Sequence, residues 1–329
     1  MSTVQEQLFH QLSPRSIHYF NEAIAAGSIR SASDRLDIEP SVISRQIRQL
    51  EQCLGMALME RHGRGVRPTE AGELLSDFHR ERQASEQSLL GRLAALDGLQ
   101  RGQIRLSISE GYNDILSGGV LSNFSTRHPA VQITLSLASV NEVVRQVFEG
   151  QAHMGVAYSP RLMPGIHAVA SVRQPVRLLV RPGHPLTCKR QPLALEDILI
   201  WPLALIDHGF GLRQLIDTVE VIEKCSFQAT LNSNSLATLK HYVANSDGVT
   251  FMAEVAALSE IRHQQLVALP IDHPVFMNAE THVLVRNGRP LSPAALQLLH
   301  HILQTPPFCE GHIDTSGLPD IKSQSASHI

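Results

Sequence analysis

SIRSASDRLDIEPSVISRQIRQLE, residues 28–51, is two short amphipathic segments joined by a tight polar turn. Ala32 and Leu36 recur at helical spacing in the first, and Ile43, Ile47, Leu50 and Leu54 along the second, which predicts two helices burying one narrow seam. At about 100° per residue, Ser41, Arg45, Arg48 and Gln52 fall opposite that seam and face outward. Pro40 opens the second helix where its missing N–H costs nothing, so Ser41, Ser44 and Arg45 lie in the early turns that reach deepest into a major groove. These three are expected to read base edges, and Val42 to meet a thymine methyl. Arg48 and, further on, Arg61, Arg64 and Arg67 are expected on phosphates. Arg30, Pro40 and Gln46 complete the expected DNA-facing set. A merely solvated charged helix face would use the same residue types.

Wider motifs narrow that choice. Gly27-Ser28, Ser31-Ala32, Leu36, Pro40, Ser44-Arg45-Gln46-Ile47, Leu50-Glu51 and Leu54-Gly55 are followed by ALMERHGRGVRPTEAG at residues 57–72. Over this stretch the chain resembles a LysR-type transcriptional regulator. It departs from the usual pattern at Ser33, where alanine is common, at Met59, where phenylalanine is common, and at Pro68, where leucine is common. The resemblance implies an α+β multidomain chain with no catalytic role and no cofactor. Its parts would be a winged helix-turn-helix over residues 11–69, a linker and dimerisation helix over 70–98, and a two-lobed α/β effector domain over 103–305. That last domain would be of the periplasmic-binding-protein type. The implied partners are double-stranded DNA carrying an interrupted inverted repeat, a small-molecule metabolite effector, further copies of the chain as dimer or tetramer, and RNA polymerase.

Composition agrees with a globular chain of two or three units: 329 residues, 43% apolar and 18% charged. A net charge of −3 does not exclude nucleic acid, because residues 28–69 hold seven arginines against five acids and local charge sets the electrostatic footprint. The start, MSTVQEQLFHQLSPR, has no basic end followed by an apolar run, and no stretch is long and apolar enough for a membrane helix. A cytoplasmic location is therefore expected. Cys53, Cys188, Cys225 and Cys309 show no metal-ligand spacing and read as isolated thiols; some LysR-type relatives sense oxidants through a cysteine pair, for which Cys188 and Cys225 are the candidates here.

Ser13-Pro14 reads as a helix start, with Ile17, Phe20 and Ile24 facing inward. Thr69 is placed to cap a long helix bearing Ala71, Leu74, Leu75, Phe78, Leu89, Leu93 and Leu96, whose apolar stripe wants a partner helix. Beyond Gly98 and Gly102, strands are predicted at 103–109, 131–137 and 153–158, with helices near 114–127 and 141–148, a βαβαβ unit with a parallel sheet. A second unit takes strands at 176–180, 203–206, 227–231 and 249–252 and helices near 212–221 and 235–245. A strand at 282–285 and a helix at 293–303 return to the first. The tail, 306–329, rich in Pro, Gly and Ser, is expected to be disordered.

Ligands of doubly wound sheets sit at the carboxyl ends of strands beside helix N-termini. That rule selects Ser109, Glu110, Tyr112, Ser139, Asn141, His208, Phe210, Asn234, Ser235 and Thr250 as effector-binding candidates. Each could equally be a cap or turn residue, Ser139, Asn234 and Ser235 above all. Glu110 would repel an anion unless paired, and so points toward an effector carrying a hydroxyl or amine. The competing function is a solute-binding or metabolic enzyme module with a helical appendage. Against it, the chain has no G-x-S-x-G, no phosphate loop and no H-E-x-x-H, and its 17 histidines are scattered.

Overall fold

The computed structural model describes residues 13–62, 65–96 and 102–314. Its contacts divide the chain into two units, the boundary falling between Gln87 and Ser88.

In the first unit, helices α1 (Pro14–Ala25), α2 (Ile29–Leu36) and α3 (Pro40–Leu54) precede a hairpin of β1 (Met59–His62) and β2 (Gly65–Pro68) and the long helix α4 (Glu70–Leu96), whose residues from Ser88 on fall to the second unit. Ile17, Phe20, Ala32, Ile43, Ile47, Leu50 and Leu58 are almost wholly buried in one core, each large side chain stabilising the fold by about 1.5–3 kcal/mol. The Ser28 hydroxyl accepts the Ser31 N–H at 3.0 Å and caps α2, whereas Ser13 stands in the cap position of α1 with no side-chain capping bond. The α2–α3 turn passes through Asp37 in the left-handed region, φ 53°. Glu51 accepts the Leu58 N–H at 2.9 Å and ties the end of α3 to the hairpin. Thr69 accepts the Gly72 N–H at 3.2 Å, as a cap should, and donates to the Ala57 carbonyl at 2.8 Å. A Cβ on Gly72 would lie 2.0 Å from the Leu58 carbonyl oxygen, so only glycine lets α4 start this close to the wing.

The second unit has two sheets. Its first lobe carries six strands in the order β13-β6-β12-β5-β3-β4: β3 (Gly102–Ile108), β4 (Val131–Leu137), β5 (Met154–Tyr158), β6 (Ile166–Arg173), β12 (Glu280–Arg286) and β13 (His312–Ile313). The second lobe carries β11-β7-β10-β8-β9: β7 (Val176–Val180), β8 (Leu203–Ile206), β9 (Ala229–Ser233), β10 (Val249–Ala253) and β11 (Val267–Pro270). Helices α7 (Val140–Phe148) and α13 (Pro293–Leu303) cover the first sheet, α9 (Gly211–Glu223) and α10 (Leu236–Ala244) flank the second, and α8 (Leu195–Leu199), α11 (Leu258–Arg262) and α12 (Pro274–Met277) are short. The chain crosses between lobes twice, and the crossings bind each other: the Gln174 N–H donates to the Ala279 carbonyl at 2.8 Å and Arg173 Nε to the Met277 carbonyl at 2.7 Å.

Two expectations need completing and two need correction. The sheets are parallel only where βαβ units make them so, along β4-β3-β5 and β10-β8-β9; β12 runs antiparallel to β5 and β6, and β7 antiparallel to β10 and β11. Strands β6 and β11 were not anticipated, since IHAVASVR lacks clean alternation and VALP is a four-residue run closed by proline. The helix near 114–127 is broken into α5 (Asn113–Ile115), a π-helical turn (Leu116–Leu121) holding Gly118 and Gly119, and α6 (Ser122–Arg127); the wider turn points Leu116, Val120 and Leu121 inward. Disorder from residue 306 does not hold for residues 306–314, because Phe308 is fully buried and β13 pairs with β6. Residues 315–329 lie outside the described residues.

Candidate DNA-reading surface and effector cleft

Burial of Ile43, Ile47 and Leu50 fixes the rotation of α3 and leaves Pro40, Ser41, Arg45 and Arg48 exposed, with Arg30 exposed on α2. Ser44 is half-buried. Val42 is half-buried and packs on the core, and Gln46 turns inward, its Oε1 accepting from Ser16 Oγ at 2.7 Å. Arg67 is exposed on β2 opposite Glu60, and Arg61 pairs with Val66 through the backbone. Arg64 and the side chain of Arg61 lie outside the described residues. Sequence reasoning marked Ser33 only as a departure from the usual alanine and did not single out Gly72; their contacts disclose their roles, the Ser33 hydroxyl donating to the Ile38 carbonyl.

Between the lobes lies a partly open, mainly apolar cleft, and Ser109, Glu110, Tyr112 and Phe210 line it. Tyr158, Ile206, Leu236, Met252, Val255 and Ala256 line it too, apolar or aromatic positions at strand ends and in the turn and helix start beyond them that carried no chemical signal in the sequence. Glu110, in the turn after β3, accepts the Leu236 N–H with both carboxylate oxygens at 3.1 Å and the Ser235 hydroxyl at 3.4 Å. That links the first lobe to the start of α10 in the second. Ser109 is 8% exposed, and its hydroxyl has no hydrogen-bond partner among the described residues. Tyr112 is hydrogen-bonded to Thr281 Oγ1. Burial raises the phenols of Tyr112 and Tyr158 well above their ordinary range, so both remain protonated donors.

The other candidates scatter. Ser139 and Ser235 cap α7 and α10 through the Glu142 and Thr238 N–H groups. Asn141 Oδ1 accepts from Gln214 Nε2 at 3.4 Å, a contact between lobes, and Asn234 is exposed after β9. His208 is exposed and lines a separate, more polar recess of about 670 Å³ with Asp207, Arg213 and Asn232. Thr250 is fully buried and lines neither cavity, because β10 runs on to Ala253 and its carboxyl end falls there. Cys188 and Cys225 are free thiols; burial, with Glu220 beside it, pushes the Cys225 thiol up, away from the thiolate that redox chemistry needs.

No cluster of residues able to hold a metal ion, and no helix long and apolar enough to cross a membrane, occurs among the described residues. Residues 14–73 match the family model "Bacterial regulatory helix-turn-helix protein, lysR family", and residues 97–306 match "LysR substrate binding domain". The RuBisCO operon transcriptional regulator of Allochromatium vinosum is 24% identical over 285 residues, covering 86% of this chain and 93% of that protein. Among solved structures, a full-length OxyR variant from Pseudomonas aeruginosa aligns over 92% of this chain and 98% of its own at 18% identity and a TM-score of 0.67. Full-length CbnR complexed with its target DNA aligns over 88% of this chain and 99% of its own at 19% identity and a TM-score of 0.53. With one model on the three-helix head and another on the bilobal unit, this chain belongs to the LysR family of bacterial transcriptional regulators, not to an enzyme family.

Proposed function

We propose that this regulator works in the cytoplasm, binding a dyad operator as a dimer or tetramer, and that a small metabolite seated between the two lobes of its second unit sets how it grips that operator. The observation that carries the DNA-reading part is the division of α3 into a buried stripe, Ile43, Ile47 and Leu50, and an exposed face, Ser41, Arg45 and Arg48. On this reading Ser41, Ser44 and Arg45 meet base edges, and Arg30, Arg48, Arg61, Arg64 and Arg67 meet phosphates. Residues 11–69 form the DNA-binding domain, 70–98 the linker and 103–305 the effector domain. Leu74, Phe78, Leu89, Leu90 and Leu93 are exposed along α4, and a second copy of that helix covers them, presenting two α3 helices to half-sites one or more turns apart. RNA polymerase is the further partner when the operator adjoins a promoter.

Ligand and DNA are coupled only if the ligand prefers one arrangement of the lobes over another. The test is a gel-shift titration of the full chain against the intergenic DNA beside its own gene and against shuffled duplex of the same composition. Preference for the native duplex, lost in Arg45→Ala, is the expected result; equal affinity for both duplexes overturns the reading.

A further inference from the structure

We propose that Glu110 is a built-in anion for the effector cleft: its carboxylate occupies the anion seat at the start of α10, latches the lobes, and closes the cleft to anions in favour of a hydrogen-bonding ligand with an apolar body. The proposal rests on the reading of this cleft as the effector site. The free N–H groups of a helix N-terminus attract negative charge, and α10 begins at the cleft wall. The anion already there belongs to the protein: both Glu110 oxygens lie 3.1 Å from the Leu236 nitrogen, with Ser235 Oγ at 3.4 Å.

Packing closes the seat that Glu110 fills. A Cβ on Gly111 would lie 3.0 Å from that of Ala256, so the Glu110 turn rests directly on the second lobe. No lysine or arginine lines the cleft, and the lysine on α10, Lys240, is paired with Glu260 at 2.6 Å. A carboxylate entering beside Glu110 would meet a like charge in mainly apolar surroundings, with no lysine or arginine at the cleft to offset its own. A polar side chain left for a ligand is the Ser109 hydroxyl, over nine-tenths buried, lining the cleft and without a partner among the described residues. An alcohol, phenol or carbonyl oxygen satisfies it without adding charge.

Thermal melts of the full chain with acetate, against chloride at equal ionic strength, test this. Glu110→Ala empties the seat, and acetate should then raise its melting temperature saturably by about 2–4 °C, the exogenous carboxylate replacing the lost one. Wild type should respond neither to acetate nor to benzoate. Rescue absent in Glu110→Ala, or a wild-type shift with either carboxylate, overturns the proposal. If Glu110→Ala does not fold, Glu110→Gln replaces it: hydrogen exchange at the Leu236 amide should quicken about tenfold or more as the charged acceptor is lost, and unchanged exchange overturns the latch. Operator binding by the same variants is scored separately, so failure of the regulator reading is visible independently of failure at Glu110.

Discussion

Ser33 donates its hydroxyl hydrogen to the carbonyl oxygen of Ile38, 2.6 Å away across the turn that joins α2 to α3. Ser33 is 8% exposed, and the bond closes the turn around Asp37, whose φ of 53° a non-glycine residue adopts only when held. Ser33→Ala removes the donor and should lower stability by about 1 kcal/mol. Urea denaturation of the full chain checks this, with operator affinity expected to stay within a few-fold because the outer face of α3 is untouched.

Gly72→Ala should be worse. Its Cβ would lie 2.0 Å from the Leu58 carbonyl oxygen, backbone that cannot swing aside as a flexible side chain could. A loss of about 1–3 kcal/mol is expected, together with weaker operator binding as the wing shifts. Denaturation and gel-shift titrations on one preparation should move together.

Arg45 and Arg67 should fail differently. Arg45→Ala should cost about 1–3 kcal/mol on the operator and much less on shuffled duplex. Arg67→Ala should weaken both about equally and reduce the salt slope of binding by about 1. Fluorescence anisotropy across a salt series separates the two patterns.

Gly211 opens α9 where a Cβ would lie 1.8 Å from the carbonyl oxygen of Tyr158, a first-lobe residue. Gly211→Ala therefore wedges the lobes apart. X-ray scattering should record a larger radius of gyration, and the Leu236 amide should exchange faster as Glu110 draws away from it. Unchanged scattering and exchange would mean that the two elements slide past each other instead.

Stability should fall in mild acid. His153, whose Nδ1 accepts the Arg105 N–H at 3.0 Å, is lowered by burial and by Arg105 from 6.5 to about 3; burial with Arg82 and His18 lowers His79 from 6.5 to about 4. Below 6.5 the unfolded chain binds protons that the folded chain refuses, so this contribution is complete above pH 6.5 and drains away as pH falls toward 3. Each histidine contributes about 1.4 kcal/mol per pH unit within its window. His153→Gln, which keeps an acceptor for Arg105, should flatten the slope by that amount in urea titrations between pH 6.5 and 5.

The head of the molecule was legible because its signals are local: spacing set the buried stripe of α3, Pro40 set its start, and Thr69 its role as a cap. Strands that pair with distant partners were harder. β6 and β11 are made by neighbours over a hundred and over eighty residues away, Glu280–Arg286 and Val176–Val180, and their own residues barely announce them. The cleft was half legible: a strand-end rule finds Ser109, Glu110, Tyr112 and Phe210, but it misjudges where β10 ends and so selects Thr250 instead of Ala253. It finds no reason to name Leu236 or Ala256, whose importance lies in a backbone N–H and a point of close approach.

The route of the chain through the two lobes also orders their birth on the ribosome. Every strand of the second lobe comes from one uninterrupted run, 176–270, whereas the first lobe needs β12 and β13, which end at residue 313. The downstream lobe can therefore close while translation continues; its companion must hold β3 to β6 unfinished until the last strand leaves the exit tunnel.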